Sequence, residues 1–138
     1  KAMERARRIY TEHMNSAMTI LGTPMPYEQA YSRLKHLTDD LDPNDPVSMA
    51  VRAFVPALDK VLSQMTTIET RANVIKAAIE VLLSRARTGQ LPDTLPSGLP
   101  KDAFSGKDFE YEKTKEGFVL RCPGKDLDVY RYEFKVKK

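Results

Sequence analysis

The chain has 138 residues, 41% of them hydrophobic, with a formal net charge of +3. That is enough apolar material for one compact domain, and the positive balance is too mild and dispersed for a nucleic-acid-binding face. No apolar run approaches the ~20 residues of a membrane span, and a lone Cys122 excludes an internal disulfide.

The first predicted helix runs from Met3 to Leu21, with Ala6, Tyr10, His13 or Met14, Ala17 and Leu21 on one stripe. Lys1 opens directly on helical sequence, so we expect a trimmed chain whose signal or anchor would lie upstream. Gly22 and the stiff Thr23-Pro24-Met25-Pro26 connection end this helix. A second helix follows from Tyr27 to about Leu41, with Ala30, Tyr31, Leu34, Leu37 and Leu41 sharing its face. The short connections make the two helices neighbours packed on the first half of a third.

That third helix dominates the sequence. Val47, Val51, Phe54, Leu58, Val61, Met65, Ile68, Ala72, Ile75, Ile79, Leu82 and Ala86 recur at alternating steps of four and three. Such a seam belongs to helices that pack side by side. Asp45 and Pro46 suit its start, and Arg85, Arg87 and Gly89 its end. Pro56 withholds an N–H from the carbonyl of Arg52, so a kink or break is expected near Phe54 and Val55. The seam is expected to be the buried face, with Leu82 turned toward a sheet.

After Gly89 come three Leu-Pro pairs in an ordered loop, whose leucines are expected to tuck onto the helix. Alternation then sets in. Phe109 and Tyr111 share one strand face, and Phe118, Leu120 and Cys122 share the next. In the last strand Tyr130, Tyr132, Phe134 and Val136 oppose Arg131, Glu133, Lys135 and Lys137. Three such strands form an antiparallel meander with one wet face. The whole reads as a single α+β domain over 1–138: a helical part at 1–46, then the long helix and sheet at 47–138.

Residues suited to chemistry are few. Asp40, Asp42 and Asn44 open like a calcium loop, but Asp45 and Val51 stand where that loop needs Gly and Glu. His13 and His36 fall on different helices without zinc spacing; His13 suits lining the helix seam and His36 capping a carbonyl. No nucleophile–base motif or phosphate loop appears. Cys122 reads as a small buried hydrophobe, and the terminal Lys135-Val136-Lys137-Lys138 as a charged strand edge that discourages aggregation. No catalytic residue and no cofactor are assigned.

From about Phe54 onward the chain resembles the C-terminal part of type II secretion pseudopilins and related pilin-like proteins. It is closer still to a group of uncharacterised bacterial proteins with the same ending. The shared positions are Leu91-Pro92, Leu99-Pro100, Asp102, Phe104, Gly106, Lys107, Phe109, Tyr111, Gly117, Phe118 and Leu120. This resemblance implies a helix packed on an antiparallel sheet, an extracytoplasmic location and a role in assembly. Pseudopilins carry an Asp- and Gly-rich loop after the second strand, which binds calcium in the major ones. Here that segment keeps Gly124 and the carboxylates Asp126 and Asp128 beside Lys125, a weak calcium candidate. The helices before Val47 have no counterpart in a pseudopilin. The expected function is a non-catalytic, extracytoplasmic interaction module of a larger envelope-associated protein. It would meet a protein partner through loops 92–107 and 123–128, and a membrane only through an upstream segment. The alternative is a regulatory scaffold pairing through the long helical seam.

Overall fold

The computed structural model describes residues 1–125 and 128–137. Among the described residues four helices precede a three-stranded sheet, an α+β architecture. The helices are α1 (Ala2–Gly22), α2 (Tyr27–Lys35), α3 (Pro46–Ala53) and α4 (Val55–Thr88). The strands are β1 (Glu110–Lys113), β2 (Gly117–Arg121) and β3 (Arg131–Lys135), with a short 3-10 turn at Asp128–Tyr130. Packing divides the chain into two compact units, Lys1–Met65 and Thr66–Lys138, and the boundary falls within α4.

The break before Pro56 lies where the missing N–H places it. Phe54 ends α3, its own N–H bonding back to the Val51 carbonyl, and α4 starts at Val55. At the other end Gly89 adopts φ 83°, and its N–H meets the Arg85 carbonyl at 2.7 Å, closing the helix.

In the first unit Ala17 of α1, Ala30 and Leu34 of α2 and Leu62 of α4 form the core. Ile20, Leu21, Met25, Leu37 and Leu58 pack around them. Small alanines on α1 and α2 let the helices approach closely. Asp45 stands at the N-cap of α3, its carbonyl accepting the Met49 N–H at 2.9 Å, with no side-chain cap hydrogen bond from its carboxylate. It accepts from Arg5 at 2.9 Å and from Ser48 Oγ at 3.2 Å, and the Arg5 guanidinium holds its pKa below the usual carboxylate value. The second helix is shorter than its apolar pattern suggests. It stops at Lys35, and residues 36–41 roll into successive tight turns, with Leu37, Asp39 and Leu41 each bonding back three residues. Thr38 and two consecutive aspartates are poor helix formers, and His36 and Asp39 satisfy each other outside the helix at 2.7 Å.

In the second unit the sheet order is β1-β2-β3, antiparallel throughout, with Tyr111 opposite Leu120 and Phe118 opposite Phe134. Phe118, Leu120 and Cys122 line the dry face as their alternation requires, and Phe109 joins them. Tyr130, Tyr132, Phe134 and Val136 are half-buried against the same core, while Arg131, Glu133, Lys135 and Lys137 face water. The leucines of the three Leu-Pro pairs, Leu91, Leu95 and Leu99, also pack onto it. Gly117 admits no side chain, because a Cβ there would overlap the Phe134 carbonyl.

The face that α4 turns to this core differs from the expected one. Val74, Ala77, Ala78 and Val81 are buried with Thr66 and Thr70, whereas Ile68, Ile75, Ile79 and Leu82 are exposed. Leu82 therefore does not face the sheet. Sheet and loop already supply the bulk, as three phenylalanines and four leucines. The facing helix side must be small for the layers to close at interior density.

Candidate functional site

Three places merit inspection. The first is a polar cleft of about 400 Å³ in the first unit, lined by Glu12, His13, Ser16, His36, Leu37, Asp39 and Asp40. The turns after α2 thus bring together two histidines that the sequence separates. His13 is buried, its Nδ1 2.8 Å from the Ile9 carbonyl and its Nε2 3.2 Å from Asp40 Oδ1. A carbonyl can only accept, so Nδ1 must carry a proton, and the carboxylate favours a second one on Nε2. Burial alone would lower the pKa of His13, but these bonds to Ile9 and Asp40 outweigh it and raise the value above 6.5. His36 bonds Asp39 through its ring rather than capping a carbonyl. The one hydroxyl in the cleft, Ser16 Oγ, donates to the Glu12 carbonyl of its own helix at 3.0 Å. Among the described residues no group of three or more His, Cys, Asp or Glu side chains could hold a metal ion.

The second place is the 92–107 loop, tied down along its length. Tyr111 donates to the Pro92 carbonyl at 2.7 Å and Asn73 to the Lys101 carbonyl at 2.8 Å. Asp102 is wholly buried; it accepts the Phe104 and Ser105 N–H groups at 3.1 Å and the Ser105 hydroxyl at 2.7 Å. Thr70 Oγ1 of α4 in turn accepts the Ala103 N–H. A buried carboxylate satisfied by its own turn organises the loop; the spacing Asp102-x-x-Ser105-Gly106 is a turn signal that the sequence reading missed. The thiol of Cys122 beside it is pushed up to about 12 by burial and by Asp102, which keeps it protonated. Of the calcium candidates, Asp128 is exposed in the 3-10 turn, and Asp126 lies outside the described residues. Lys125 sits over the Phe104 and Tyr130 rings, 4.8 and 5.0 Å from their centroids, engaged in cation–π contact.

The third place is the outer face of α4 in the second unit. Ile68, Ile75 and Ile79 are 68%, 57% and 50% exposed, and Leu82 and Leu83 continue the strip. Along the helix it is about 20 Å long from Ile68 to Leu82. A lone exposed isoleucine is ordinary, but a continuous row of them on a stable helix is not. The row is the heptad seam of the sequence, and in this unit none of the described residues covers it. The apolar period is that of a helix meeting another helix, and the intramolecular partner, the sheet, took the opposite side.

Among the described residues no helix is long and apolar enough to cross a membrane. No protein-family model matches the chain, and searches of curated proteins and of solved structures find no match.

Proposed function

We propose that this chain acts by contact rather than by catalysis, as a structural or interaction module that presents the outer strip of α4 to a protein partner. The observation that carries this reading is the exposed row Ile68, Ile75, Ile79 and Leu82. Burying one isoleucine side chain contributes roughly 1.5–3 kcal/mol. A helix that keeps three in water, while placing alanines against its sheet, retains that free energy for an intermolecular contact. The loops at 92–107 are bound to their own scaffold and offer less. The pilin-like resemblance adds the setting: an extracytoplasmic part of a larger, envelope-associated protein. Because the strip follows a 3.5-residue seam, the partner element that fits it is another helix.

Photo-cross-linking from position 75 tests this in the producing cell. A cross-linking residue at Ile75 should give a discrete covalent adduct, and the same residue at the exposed Glu133 on the wet face of β3 should not. No adduct from positions 75 and 79 would overturn the contact reading.

A further inference from the structure

We infer that the partner helix is the same helix of a second copy, and that two α4 strips pair antiparallel about a two-fold axis. The inference deepens the contact reading and rests on it. In the heptad defined by the seam, Ala72 and Ile79 are a positions, and Ile68, Ile75 and Leu82 are d positions. The flanking e positions are Glu69 and Lys76. These two are seven residues apart, about 10 Å along one helix, so they do not pair with each other in one chain. Among the described residues neither enters an ion pair.

An antiparallel partner centred between Asn73 and Val74 resolves size and charge together. Ala72 then lies opposite Ile75 of the second copy and Ile68 opposite Ile79, each twice by symmetry, so small meets large and no hole is left. The same register sets Glu69 beside Lys76 of the second copy, again twice. One self-complementary patch thus makes a closed isologous pair. The parallel alternative does neither. It places Ala72 against Ala72, leaving a gap. It also brings the g position Arg71 beside Lys76 of the other copy, a like-charge pair, although e and g charges are what set helix orientation.

Sedimentation velocity of the full chain over a wide concentration range tests the proposal, with charge-reversed variants. A monomer–dimer equilibrium is expected. Glu69→Lys and Lys76→Glu should each weaken it at least tenfold, and the double variant should restore it, because the pair re-forms with its signs exchanged. Ile75→Glu should abolish the dimer and leave the helical circular dichroism unchanged, since position 75 faces water in the single chain. Three results would overturn antiparallel self-pairing: a monomer at every concentration, a dimer tightened by Lys76→Glu (the parallel arrangement), or a dimer indifferent to Ile75→Glu. A monomer whose position 75 still cross-links to a different protein removes self-pairing and leaves the contact reading standing. A monomer without adducts removes both.

Discussion

The two sides of α4 in the second unit are opposites in size. The side against the sheet carries Thr70, Val74, Ala77, Ala78 and Val81; the side in water carries Ile68, Ile75, Ile79 and Leu82. By hydrophobicity alone the second set should be inside. That it is outside teaches that burial in a two-layer unit is decided by the sum of what both layers contribute. Phe109, Phe118 and Leu120 fill the interlayer space from the sheet, and the Leu-Pro loop adds its leucines from the rim. The helix then needs a face that lets its backbone come near, and alanine provides it.

This comparison can be broken by substitution. The largest effect belongs to Phe118, wholly buried and stacked on Phe134 at 4.9 Å between ring centroids. Phe118→Ala should cost about 3–5 kcal/mol in chemical denaturation. Next is the small helix face. Ala77→Leu should overpack the layers and cost about 1–3 kcal/mol, whereas Ala86→Leu on the exposed side should be tolerated within about 0.5 kcal/mol. Equal losses from the two alanines would mean that the buried side is misassigned. Then comes the strip itself. Leu82→Ala, measured at concentrations low enough to keep the chain monomeric, should cost under about 1 kcal/mol. A loss of the size found for Phe118→Ala would show that the strip is covered within the chain.

The smallest effect lies in the first unit and sharpens the contrast between a packed and a polar contact. The folded-state pKa of His13 is raised above 6.5, so the folded state binds the proton more tightly than the unfolded chain. The stabilisation is therefore complete below the unfolded value and is lost as pH rises through the folded one. His13→Gln should narrow its stability gap to the parent as pH is raised past 6.5, by a small amount because Asp40 is largely solvated. A gap independent of pH, in urea melts across that range, would show that His13 acts by packing alone.

Much of the architecture was legible in local pattern. The switch from a 3.5-residue to a 2-residue period near Gly89 marks where helix yields to sheet, because side-chain direction follows backbone geometry directly. Pro56 marks the break before it for an equally local reason, a missing donor. The end of α2 was less legible: Leu37 and Leu41 keep the helical period while Thr38, Asp39 and Asp40 favour turns, and only the contacts of those turns decide between them. The pairing of His13 and His36 at one cleft was not legible at all, since it depends on how α1 and the turns after α2 meet.

By itself the sequence determined that α4 carries an apolar seam suited to another helix, that Phe118, Leu120 and Cys122 share a face, and that three leucines in the Leu-Pro loop have somewhere to pack. Periodicity and turn chemistry act within a few residues, so they can be read without the fold. Only the tertiary structure decided which side of α4 is covered. Both sides are apolar enough to be buried, and the choice was made by volume: the aromatic face of the meander accepts Val74, Ala77 and Val81 closely and leaves the isoleucines of the seam in water.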